Sequence, residues 1–184
     1  MLESLIQKKL SSQKFLPILN TSNLNKDVLR LEKLISENQN VQCIEITLRN
    51  KDSFDIAVEI KEKFPNLVFG LGTVLDKESY IKGSNAGFSF FVSPCIIHEL
   101  LEVNPKNYIP AGETISDFIF LKKKGYNLIK FFPASLMGAE KKLISIQNII
   151  KELSFIPTGG IDKNNISSYL KLENVLCVGM SKFD

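Results

Sequence analysis

A chain of 184 residues that is 44% hydrophobic has the material for one domain with a substantial core, and its formal net charge of +3 is too small and too scattered for a nucleic-acid-binding stripe. One histidine, His98, and three widely separated cysteines, Cys43, Cys95 and Cys177, offer no metal-ligand spacing, so no zinc site is expected. No apolar run is long enough to span a bilayer, and the cysteines read as reduced core or near-core residues of a cytoplasmic protein.

In chain order, residues 1–10 are amphipathic without a signal-peptide core and read as a short N-terminal helix. A β-type run over 15–19 is followed by a helical pattern over 25–38, and a second run over 41–48 by a helix over 52–64. A third strand over 67–72 leads to a helix over 76–86 that Asp76 opens, and a fourth over 90–93 to a helix over 96–103, with His98 on its surface. The fifth strand, 108–111, precedes a helix over 114–124. Thr114 and Asp117 mark its start, and Lys122-Lys123-Lys124-Gly125 marks its end, where cations suit the dipole and glycine suits a left-handed cap. Strands over 128–132, 155–158 and 175–178 alternate with helices over 138–152 and 163–171, the latter opened by Asp162 or Asn164.

Eight strands alternating with helices predict a parallel α/β fold, most simply a compact, closed (β/α)8 TIM barrel made as one domain by residues 1–184. No eighth helix is expected between the last strand and Asp184.

Lys130 interrupts the apolar run Leu128-Ile129-Lys130-Phe131-Phe132-Pro133. An ammonium in such a run snorkels, finds a buried partner or gives up its proton, and a neutral amine is a nucleophile toward carbonyls. On the strand over 41–48, the period of two sets Ile44, Ile46 and Leu48 on one face and Cys43, Glu45, Thr47 and Arg49 on the other. If the apolar face meets the helices, Glu45, Thr47 and Arg49 point to the barrel axis, where the same alternation sends Leu128, Lys130 and Phe132. Glu45 and Lys130 are then expected to meet near the barrel mouth. Thr73 offers a hydroxyl after Gly70-Leu71-Gly72, and Ser93-Pro94 ends the fourth strand. Gly159-Gly160 and Gly179-Met180-Ser181 end the last two strands, the place where a barrel presents amides to a phosphate.

The segments Ile44-Glu45-Ile46-Thr47-Leu48-Arg49, Gly70-Leu71-Gly72-Thr73-Val74, Val92-Ser93-Pro94, Ile129-Lys130-Phe131-Phe132-Pro133-Ala134 and Pro157-Thr158-Gly159-Gly160-Ile161 occur in this order. The set resembles 2-keto-3-deoxy-6-phosphogluconate (KDPG)/4-hydroxy-2-oxoglutarate (KHG) aldolases, class I enzymes of the Entner-Doudoroff pathway. The resemblance implies that Lys130 forms a Schiff base with a phosphorylated 2-keto acid or pyruvate and that Glu45 is the general acid/base. It implies Arg49 and Thr73 at the pyruvyl carboxylate, Pro94 and Phe132 as pocket walls, and Thr158 as a positioning group. It places the phosphate on Gly159, Gly160, Gly179 and Ser181, needs no cofactor, and implies a homotrimer. It departs at Asn20, where many members carry an arginine, so no charge contact is expected from that loop. Three alternatives stay open: the 6-phosphogalactonate epimer as substrate, a truncated non-catalytic barrel that only binds phosphate, and an isomerase-like phosphate barrel without imine chemistry.

Overall fold

The computed structural model describes residues 2–183. Its strands are β1 (Phe15–Asn20), β2 (Cys43–Thr47), β3 (Val68–Gly72), β4 (Phe90–Val92), β5 (Tyr108–Ile109), β6 (Ala111–Gly112), β7 (Leu128–Phe131), β8 (Ser154–Pro157) and β9 (Val178–Met180). The helices are α1 (Leu2–Gln13), α2 (Leu24–Glu37), α3 (Ser53–Lys63), α4 (Lys77–Asn85), α5 (His98–Val103), α6 (Ile115–Lys123), α7 (Ala139–Ile146) and α8 (Ile166–Leu170). Every ladder is parallel, in the orders β5-β4-β3-β2-β1-β9 and β6-β7-β8. Isolated parallel bridges, Phe155 to Val175 and Thr158 to Gly179, connect the two sheets on the β8–β9 side.

Alternation along the strands divides the core in two. Ile44, Ile46, Phe69, Leu71, Ile129 and Phe155 face the helices, where Leu31, Ile60, Phe118 and Leu143 cover them. Phe118 lies in the middle of this layer, 4.8 Å edge-on from Phe155 and 5.6 Å from Phe131. Burying each such side chain stabilises the fold by roughly 1.5–3 kcal/mol. The opposite strand faces carry Leu16, Cys43, Phe90, Leu128, Ile156 and Cys177, which pack with Ile6 and Leu10 of α1.

Helix α1 therefore closes the amino-terminal end of the strands. Gln13, at its last position, is buried with its amide fully used: Nε2 donates to the Phe15 and Cys43 carbonyls, and Oε1 accepts from the Gln42 and Cys43 amides.

Several boundaries differ from the sequence reading, each for a local reason. The fifth strand is split at Pro110, which has no amide to give a ladder, although its carbonyl still accepts from Lys130 N at 2.9 Å. The last strand is Val178–Met180, not 175–178, because its ladder with β1 begins where Phe15 meets Val178. Helix α8 begins after Asn165; Asp162 instead spends Oδ1 on the Asn164 amide in a turn. Helix α7 ends at Ile146, and 147–152 continue as turns. Cys43 and Cys177 are buried, whereas Cys95 is exposed and lies outside the core. Asp76 and the Thr114–Asp117 capping box do start α4 and α6, and Gly125 takes a φ of 91° after α6.

Candidate active site

The carboxyl ends of the strands surround a cavity of about 220 Å³. Strand β2 brings Glu45 to its floor. Glu45 is opposite Ile18 on one side and Gly70 on the other, and Glu45 Oε1 accepts from Lys130 Nζ at 3.1 Å. The two side chains are 1% and 8% exposed, so the pair is desolvated. The other carboxylate oxygen, Oε2, is buried with no hydrogen-bond partner among the described residues. A buried polar atom without a partner is uncommon and costly, so this oxygen has hydrogen-bonding capacity that the described residues leave unused. The Lys130 ammonium also lies 5.7 Å from the centroid of the Phe132 ring.

Glycine at 72 is what lets Glu45 lie there. A Cβ built on Gly72 would fall inside the Glu45 carboxylate, so a side chain on β3 would expel the acid from the floor. Thr73 follows with φ 59°, a left-handed conformation unfavourable for a β-branched residue. The next residue is held on both backbone groups. Val74 N donates to Val92 O at 3.1 Å, and Ser93 Oγ donates to Val74 O at 2.5 Å while accepting from Tyr108 Oη at 2.8 Å. Burial pushes the Tyr108 hydroxyl well above the usual phenol range, so it stays a proton donor in this chain.

On the opposite wall, Gly159 and Gly160 have φ of 100° and 72°. The carbonyls of Thr158 and Gly159 accept from the Ala134 and Ser135 amides, and that of Gly160 from Ser135 Oγ and Asn165 Nδ2. All three loop carbonyls thus have donors from within the protein. Gly179 is next to this loop through the Thr158 bridge.

Of the residues read from sequence, Arg49, Thr73, Pro94, Lys130, Phe132, Thr158, Gly159, Gly160, Gly179 and Ser181 all line this one cavity, and Glu45 lies beneath Lys130. Arg49 and Lys130 are the charged residues of the lining, and both are cationic, which suits an anionic ligand. Thr47 is buried and hydrogen-bonds Asn20, so it does not line the cavity. Ile18, Asn20 and Ile161 line it as well and are not among the binding residues read from sequence; of the three only Asn20, the last residue of β1, carries a sequence signal, its place at the carboxyl end of a strand.

The family model for KDPG and KHG aldolases matches residues 6–184. A 2-dehydro-3-deoxy-phosphogluconate aldolase of Pseudomonas aeruginosa is 31% identical over 169 residues, 90% of this chain and 76% of that protein. A KHG/KDPG aldolase of Escherichia coli K12 is 34% identical over 144 residues, 77% of this chain and 68% of that protein. Among solved structures, a KDPG aldolase from Legionella pneumophila, with pyruvate captured at low pH as a covalent carbinolamine intermediate, superposes with a TM-score of 0.87. It is 30% identical, covering 95% of this chain and 85% of that one.

Proposed function

The chain belongs to the KDPG and KHG aldolase family, and from that footing we propose that it cleaves 2-dehydro-3-deoxy-6-phosphogluconate to pyruvate and glyceraldehyde 3-phosphate. The buried Lys130–Glu45 pair at the floor of a cation-lined cavity carries this reading.

The residues supply each step. Lys130 gives a proton to Glu45 Oε1, and its free amine attacks C2 of the keto acid held through its carboxylate by Arg49 and Thr73. Glu45 then passes the proton it took to the carbinolamine hydroxyl, which leaves as water; the product is a protonated imine, and Glu45 is again a carboxylate. Glu45, through Oε2 and a water, takes the proton of the C4 hydroxyl; the C3–C4 bond breaks, and its electron pair moves into the imine to form an enamine. Glyceraldehyde 3-phosphate leaves, Glu45 returns the proton to C3, and water hydrolyses the pyruvyl imine to free Lys130. Pro94 and Phe132 wall the reacting carbons, Thr158 positions the substrate, and Gly159, Gly160, Gly179 and Ser181 receive the phosphate. No metal or other cofactor enters this scheme.

The name of the Escherichia coli relative joins two substrates, and we extend the second, 4-hydroxy-2-oxoglutarate cleaved to pyruvate and glyoxylate, to this chain. The 6-phosphogalactonate epimer is the alternative substrate. The two bridges between the sheets, together with the single residue, Pro110, that separates β5 of one sheet from β6 of the other, support a closed (β/α)8 barrel in one domain. For assembly as a homotrimer, exposed Ile115 and Ile119, one turn apart on α6, provide apolar surface. A cytoplasmic location accords with the free cysteines, and no helix among the described residues is long and apolar enough to cross a membrane.

Borohydride reduction in the presence of pyruvate tests the chemistry. The peptide holding Lys130 should gain one pyruvyl-derived mass, and Lys130→Arg should neither trap nor turn over, since guanidinium keeps its proton. Trapping on another lysine, or none in the folded protein, would sink the mechanism.

A further inference from the structure

Asn20 takes no part in the chemistry above, yet it lines the cavity at the end of β1, opposite Thr47 of β2. The buried Thr47 hydroxyl donates to Asn20 Oδ1 at 2.8 Å; its other acceptor, the Leu19 carbonyl, is farther away at 3.4 Å. That bond fixes the carboxamide. Its oxygen is engaged on the strand side, and Nδ2, with two N–H donors, is the end left for a ligand.

Thr158 is complementary. Its hydroxyl proton goes to the Ile156 carbonyl at 3.2 Å, so Oγ1 offers lone pairs alone. Strand β9 lies between the two residues: it pairs with β1, and Gly179 bridges Thr158. Apolar Ile18 and Ile161 share this part of the lining. A neutral donor and a neutral acceptor on this wall are what one substrate hydroxyl needs, since it both accepts and donates.

We propose that Asn20 is a specificity-determining residue that donates from Nδ2 to the C5 hydroxyl of the sugar acid while Thr158 accepts that hydroxyl's proton. The assignment rests on the aldolase reading: with the carboxylate at Arg49 and Thr73, C2 on Lys130 and the phosphate at the glycines, C5 is the carbon between the cleaved bond and the phosphate-bearing carbon.

The test runs the enzyme in the condensation direction, with pyruvate and either glyceraldehyde 3-phosphate or 3-oxopropyl phosphate, which lacks that hydroxyl. Asn20→Ala should lower kcat/KM for glyceraldehyde 3-phosphate by about ten-fold, as loss of one hydrogen bond predicts, and change that for 3-oxopropyl phosphate by less than about two-fold. Asn20→Asp keeps the shape and the acceptor for Thr47 but loses the donors. Its added charge acts on both phosphorylated aldehydes, so the ratio of the two is the readout, and the same selective loss is expected. Exchange of pyruvate methyl protons with solvent, which needs Lys130 and no aldehyde, should persist in both variants. Equal losses on the two aldehydes, or no loss, would overturn the role of Asn20 while leaving the aldolase standing. Absence of exchange in the unmodified protein would overturn both.

Discussion

Replacing Lys130 by Met leaves the Glu45 carboxylate in a place built for an ion pair. Glu45 is 1% exposed, Oε1 loses its partner at 3.1 Å, and Oε2 already has none among the described residues. Removing one member of a buried pair typically costs about 3–5 kcal/mol. The cavity above Lys130 admits water, so the lower end, about 3 kcal/mol, is expected here. With a urea m-value of about 2 kcal/mol/M, the unfolding midpoint should fall by about 1.5 M. Glu45→Met, which orphans the ammonium, should cost a similar amount. The double variant removes both charges and places two unbranched apolar chains beside Leu128 and Ile156 of the inner core. It should recover to within about 1 kcal/mol of the unmodified protein or exceed it. All three variants should be inert in cleavage. Urea unfolding of the four proteins measures the cycle. A coupling below about 0.5 kcal/mol would refute the claim that these charges are desolvated and mutually dependent. A double variant that is stable but inert would mean the pair is kept for chemistry and at some cost to the fold.

Two further outcomes follow from the titrating groups. Burial works against ionisation of Asp117, but the Thr114 and Glu113 amides, the Thr114 side chain and Lys142 outweigh it and hold the carboxyl below its ordinary value. A depressed folded value stabilises above the unfolded pKa and is lost as pH falls through the folded one, so Asp117→Ala should cost about 1 kcal/mol near neutrality and progressively less below about pH 4; thermal melts across that range would show a constant difference if the reasoning fails. Burial raises the Cys43 thiol to about 11, against an opposing Lys9 ammonium, and raises Cys177 further, whereas Cys95 is exposed. Iodoacetamide near neutral pH should therefore add one adduct, at Cys95, to the folded protein and three after unfolding, and rapid labelling of Cys43 in the folded state would contradict its burial.

The alternation rule made the inner face of β2 and β7 readable from sequence, because a strand's two faces are set by its own residues. Glu45 and Lys130, 85 positions apart, meet as that alternation implies. What sequence did not disclose depends on partners in other strands. The last strand falls at 178–180 and not at 175–178 because the two runs are equally apolar, and pairing with Phe15 decides which residues enter the ladder with β1. Pro110 was read within a strand, but its missing amide interrupts the ladder. Asn20 was noted only for the charge it lacks; the direction of its amide is set by Thr47, 27 residues later.

The glycines show the same limit from the opposite side. Gly70 and Gly72 enter the sequence reading only as the run before Thr73, and Gly179 enters it as a phosphate contact. In three dimensions each makes room for a neighbour. A Cβ on Gly70 would strike the Phe90 ring, one on Gly72 the Glu45 carboxylate, and one on Gly179 the Thr158 hydroxyl. These neighbours lie on the adjacent strand on the same inner face, as the registers Gly70–Phe90 and Thr47–Gly72 and the Thr158–Gly179 bridge require. Neighbouring parallel strands packed on one face cannot all carry side chains at the same level. A glycine on one strand therefore goes with a large or functional group on the next, and two of the three groups accommodated here, Glu45 and Thr158, belong to the proposed site. Gly179 and the phosphate are then connected indirectly. Gly179 lets Thr158 lie against β9, and Thr158 begins the turn whose next two residues, Gly159 and Gly160, adopt the left-handed conformations of the proposed phosphate loop.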